Sequence, residues 1–108
     1  MGIIYRQLKR AFSFLNRVYG LEISSCQKSG AYYYIEYENN NARIMVIYDL
    51  RENDPMRILV HDKSTAKPIV DATEYVKELS CGHKRPAQKI EYAANWLKDS
   101  ICQNQIKL

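Results

Sequence analysis

The groups in this chain that could move a proton, attack an electrophile or hold a metal are two histidines, three cysteines and twelve carboxylates. His61 and His83 with a lysine could in principle run a metal-independent ribonuclease, a reaction that needs two groups able to exchange protons near neutral pH. One imidazole would take the proton of a 2′-hydroxyl and the other would protonate the leaving oxygen. Their settings favour a plainer role. His61 follows the apolar run Ile58-Leu59-Val60 and precedes Asp62, as the end of a strand does. His83 sits in the basic link Ser80-Cys81-Gly82-His83-Lys84-Arg85, and no spacing brings the two rings together. Cys81 and His83 supply two metal ligands without a second close pair, so no zinc site is expected. The four glycines stand at 2, 20, 30 and 82, which excludes a phosphate-cradling P-loop or a dinucleotide fingerprint, and no Gly-x-Ser-x-Gly elbow occurs. The sequence therefore points to no catalytic residue, no metal and no cofactor, and reads as a non-enzyme.

A second concentration of chemistry lies in the middle of the chain. Nine tyrosines stand against two phenylalanines, and Tyr32, Tyr33, Tyr34 and Tyr37 fall within one short segment. On a strand, alternation places Tyr32, Tyr34 and Glu36 on one face and Tyr33, Ile35 and Tyr37 on the other. One set must enter the core, leaving the second as a partly open aromatic row. Such a row can stack the bases of a single-stranded nucleic acid. The neighbouring carboxylates would repel its phosphates, so nucleic acid is not the expected partner.

The same features suit a protein partner. Tyrosine offers a large, fairly rigid apolar body with a polar tip, and carboxylates around it speed encounter with a basic surface and set register. The candidate contact residues are Tyr32, Tyr34, Glu36, Glu38, Asp49, Glu52, Asp54 and Asp62. Charge partition supports the grouping. The net charge is +4, but residues 1–28 carry five basic groups against one acidic, residues 29–62 three against six, and residues 63–108 eight against five. A modest basic total thus hides an acidic middle between two basic ends, far from the dense basic stripe that phosphate binding uses.

The elements that position these residues follow from hydrophobic period. Ile4, Leu8, Ala11, Phe12, Leu15 and Val18 recur at helical spacing, with Arg6, Lys9, Arg10 and Arg17 on the other side and Gly20 closing the helix. The period then becomes 2. Residues 21–26, 31–38, 42–49 and 56–61 read as four strands joined by polar turns, which is most simply an antiparallel meander. After Pro68 the pattern is helical again over residues 70–79, and Pro86 opens a last helix with Ile90, Ala93, Ala94, Leu97 and Ile101 as its stripe. The expected fold is α+β: an N-terminal helix, a four-stranded antiparallel meander sheet and two C-terminal helices packed on one sheet face. Its 108 residues form a single domain, 1–108, with an ordinary apolar share of 46%. No apolar run is long enough for a membrane span, and the start lacks the apolar core of a signal peptide. With an odd number of widely spaced cysteines, the chain reads as cytoplasmic, with no membrane partner.

The run Phe12-Ser13-Phe14-Leu15, then Val18-Tyr19-Gly20-Leu21, Tyr34-Ile35-Glu36-Tyr37-Glu38-Asn39, Ile44-Met45-Val46-Ile47-Tyr48-Asp49-Leu50-Arg51 and Ile58-Leu59-Val60 resembles a family pattern. It is similar to small bacterial immunity proteins of polymorphic toxin and contact-dependent growth inhibition systems, in which a helix ending "FL…YG" leads into a sheet containing "Y.N" and "YD.R". The likeness spans residues 8–62. Leu21 replaces the more usual aromatic after the Tyr-Gly pair, and the C-terminal helices lie outside the pattern. The resemblance implies a protein-binding module without catalysis that neutralises one cognate toxin domain, a nuclease domain being the expected target. It carries over no contact residue, because each such protein uses its own surface. The competing expectation is a small RNA-binding protein or ribonuclease built on the basic helices with His61 or His83.

Overall fold

In the computed structural model, residues 3–51, 56–63, 70–71 and 86–103 are described. The chain opens with α1 (Ile3–Ala11) and a single-turn α2 (Phe14–Arg17). Strands β1 (Glu22–Ser29), β2 (Tyr32–Glu38), β3 (Ala42–Asp49), β4 (Met56–Asp62) and β5 (Val70–Asp71) follow, and α3 (Pro86–Cys102) comes last. The five strands lie in the order β1-β2-β3-β4-β5, every neighbouring pair antiparallel. The meander is therefore present, with one short strand more than the sequence announces. Of the helix expected over residues 70–79, Val70 and Asp71 instead pair with Val60 and Leu59 as β5, and the remainder lies outside the described residues. Both residues are compatible with extended backbone, and the waiting edge of β4 decides in favour of the ladder.

The first helical stripe is broken in two, for a local reason. Ser13 Oγ donates to the carbonyl of Arg10 at 2.9 Å, and the Leu15 and Asn16 amides reach back only three residues, to Phe12 and Ser13. A serine that bonds its own preceding turn competes with the regular ladder and tightens it. The broken helix still sends Leu8, Phe12 and Leu15 into the core. It ends at Gly20, whose φ of +70° lets its amide reach the carbonyl of Asn16, while Asn16 Nδ2 closes back on the carbonyl of Leu21.

Tight turns set the sheet register. Gly30, at φ +59°, forms with Ala31 the two-residue link between β1 and β2. Between β2 and β3, Asn39 Oδ1 accepts the amides of Asn41 and Ala42 at 2.8 and 2.7 Å, a side chain acting in place of a backbone turn. With that register, Tyr33, Ile35 and Tyr37 of β2, Ala42, Ile44, Val46 and Tyr48 of β3, and Met56, Ile58 and Val60 of β4 all bury on one face. They meet Tyr5 and Leu8 from α1, Phe12 just beyond it, and Ile90, Ala93, Ala94 and Leu97 from α3 in one core. The helices α1 and α3 thus cover the same sheet face. Burial pushes the Tyr37 hydroxyl up to about 12. No helix among the described residues is long and apolar enough to cross a membrane.

Candidate functional site

With Tyr33, Ile35 and Tyr37 committed to the core, strand alternation turns Tyr32, Tyr34, Glu36 and Glu38 to the other face, where all four are half-buried. The register then builds cross-strand rows on that face. Tyr32 lies opposite Asp49, Tyr34 opposite Ile47 and then Arg57, Glu36 opposite Met45 and then Leu59, and Glu38 opposite Arg43 and then His61. The centre is apolar: Tyr34, Met45, Ile47 and Leu59 adjoin one another across three strands. Charged groups frame it at both ends.

The carboxylates on this face are not a free negative field. Arg43 bridges two of them, its Nε 3.2 Å from Glu36 Oε1 and its terminal nitrogen 2.9 Å from Glu38 Oε2. Lys63 Nζ reaches the same Glu38 oxygen at 2.8 Å and also donates to the carbonyl of Asn39. The hydrogen bonds from Lys63 and Arg43 hold the Glu38 carboxyl below the usual range. Ser24 Oγ, at the irregularity in β1, donates to Glu36 Oε2 at 3.1 Å. At the far end Asp49 binds Arg51 with both carboxylate oxygens, at 2.9 and 2.8 Å, and accepts the Arg51 amide at 3.0 Å. These bonds draw the Asp49 carboxyl down to about 2. Burial, then the neighbouring Glu36, raises the Tyr34 hydroxyl.

Of the eight residues the sequence nominates, Tyr32, Tyr34, Glu36, Glu38 and Asp49 come together on this face. Asp62 does not join them: it is exposed at the end of β4, in register with buried Ala42, and alternation puts it on the helix side. Glu52 and Asp54 lie outside the described residues. His61 stands on the open face beside Arg43, while His83 and Cys81 also lie outside the described residues. Among the described residues no group of three or more His, Cys, Asp or Glu side chains is placed to hold a metal.

The residues that sequence reasoning passed over are Met45, Ile47, Leu59 and Arg43. Their signal was the alternation within β3 and β4: strands with a continuous apolar run have an apolar second face, and that face is the one turned away from α1 and α3. Chemically, the arrangement offers a shape for apolar contact, two tyrosine hydroxyls and a polar margin in which Glu36, Glu38 and Asp49 are already paired with cations. No protein-family model matches the chain, and neither a curated protein nor a solved structure matches it.

Proposed function

We propose that this chain is a non-enzymatic protein-binding module, an immunity protein that binds and neutralises a cognate toxin domain through the open face of its sheet. The observation that supports the reading is the apolar centre Tyr34, Met45, Ile47 and Leu59 on the face opposite α1 and α3. An apolar centre with a polar margin is the anatomy of protein interfaces, and tyrosine is prominent among their strongest contacts. Because Arg43, Lys63 and Arg51 already neutralise Glu36, Glu38 and Asp49, these three acids act by fixing register at short range rather than by drawing a basic partner from afar. The toxin assignment rests on the sequence pattern of residues 8–62, and a cytoplasmic location follows from it.

The test is co-expression with a toxin encoded immediately upstream. The expected result is protection of the cell and a complex that co-purifies. Ile47→Lys, which places a charge at the centre of the open face, is expected to abolish the complex while leaving the thermal transition nearly unchanged, since Ile47 is outside the core. Unchanged binding by Ile47→Lys would remove the sheet face from the contact. Absence of both protection and a complex would remove the toxin-neutralising function.

A further inference from the structure

Away from the sheet, helix α1 carries a groove of about 210 Å³, lined among the described residues by Ile3, Arg6, Gln7 and Arg10. Its chemistry is unusual for a solvated helix flank. Arg6 and Arg10 are exposed, both line the groove and stand one turn apart, roughly 6 Å between their Cβ atoms, within reach of one ligand. Gln7 lies between them, and its Oε1 is withdrawn from solvent with no hydrogen-bond partner. Ile3, 69% exposed, supplies an apolar wall at the groove's end. Lys9 belongs elsewhere, its Nζ lying 5.6 Å from the Tyr5 ring centre.

A buried acceptor without a donor is unfavourable and calls for a reason. Rotation about the last torsion of glutamine is soft, so the carboxamide can turn into the groove when a donor arrives there. A ligand that satisfies all four residues needs oxygens for the two guanidiniums, an N–H for Gln7 and an apolar group for Ile3. An inorganic oxyanion offers only the first. A nucleic acid offers phosphate oxygens, but its N–H donors and apolar faces sit on the bases, a full sugar away from the phosphate. The carboxyl end of a peptide offers all three within one residue.

We propose that the α1 groove binds the carboxyl end of a peptide chain, with Arg6 and Arg10 holding the carboxylate, Gln7 Oε1 accepting the last amide N–H, and Ile3 packing on the last side chain. Guanidinium forks bind carboxylates through paired, charge-assisted bonds, and capture of a terminal carboxylate is an established mode of peptide recognition. The site lies on the helix layer and does not depend on the sheet face or on a toxin.

The full chain, labelled with nitrogen-15, is titrated by nuclear magnetic resonance with acetyl-Gly-Gly-Leu bearing a free carboxyl end, with its C-terminal amide, with sodium acetate and with a short oligothymidylate. The expected result is saturable movement of the Gln7 side-chain amide and the Arg6 and Arg10 Nε–H signals with the free-carboxyl peptide. The amidated peptide should bind roughly tenfold more weakly, the ratio set by one lost charge-assisted bond. Replacing both arginines by alanine should abolish the movement. Gln7→Leu, which removes the orphaned acceptor at similar volume, should raise Tm and weaken peptide binding. The proposal fails if the peptide gives no saturable movement, if its amide, acetate or the oligonucleotide binds as tightly, or if Gln7→Leu binds the peptide as well as the parent chain. Because no toxin is present, failure here leaves the sheet-face reading standing.

Discussion

Arg43 holds two carboxylates of the adjacent strand at once, and that single side chain changes the meaning of the acidic middle of the sequence. Glu36 and Glu38 share a face two positions apart, and without a cation between them their charges would oppose each other. Asp49 shows the same economy within one turn, where Arg51 supplies a guanidinium and an amide. These bonds draw its carboxyl from an ordinary 3.8 down to about 2, so the fold favours the ionised form. That contribution is complete above the ordinary value and is lost as pH falls through the folded one. Asp49→Asn lacks it, so the Tm values of the parent and the variant are expected to converge as pH is lowered from 3.8 towards 2. A constant difference across that window would show that Asp49 acts through something other than its charge. The charged residue types were legible in the sequence, but their pairing was not, because Arg43 meets Glu36 and Glu38 through a strand register that charge counting does not contain.

Elements were more legible than contacts. Alternation in β2 and the asparagine turn after it were plain from residue types, and β3 and β4 were recognisable from β-branched runs. The first helix was legible by period and not by continuity: hydrophobic spacing runs unbroken through Ser13, whereas the hydroxyl of that residue breaks the ladder. Gly20 is a clear instance of a backbone requirement written in the sequence. Its φ is +70°, and a Cβ there would meet no atom within 4 Å. Substitution is therefore opposed by backbone conformation alone. Gly20→Ala is expected to lower stability by about 1 kcal/mol, and Gly20→Asn by less, since asparagine tolerates the left-handed region. Urea unfolding of the two variants measures the difference, and a neutral Gly20→Ala would exclude the left-handed turn as a stabilising feature.

Across the whole molecule, the sheet has two unlike faces because α3 returns to pack beside α1. Ile90, Ala93, Ala94, Leu97 and Ile101 close the core from outside the sheet, and Leu97 is fully buried. Leu97→Ala is expected to cost about 2–5 kcal/mol by leaving a cavity between the helix and the sheet. A denaturant midpoint shift far below that range would mean that α3 repacks easily on the sheet. The same layering separates the two sites proposed above. The sheet face opposite the helices is the proposed toxin contact, and the α1 groove on the helix layer is the proposed peptide site, so a variant in one is expected to leave the other unchanged.

By itself the sequence determined the helical character of the first and last elements, the antiparallel order of four strands, and which residues of β2 share a face, because these follow from hydrophobic period and turn chemistry within a few residues. It also marked the tyrosine strand and the neighbouring acids as the place to look. Only the tertiary structure decided which face of that strand is open, because the choice belongs to helices distant in the chain. Only the register joined Tyr34 to Ile47 and Met45 to Leu59, and brought Arg43 between two glutamates. The acidic surface read from charge counting became an apolar centre with paired charges at its ends, since Arg43 and Lys63 meet Glu36 and Glu38 through the strand register and not as near neighbours in the chain.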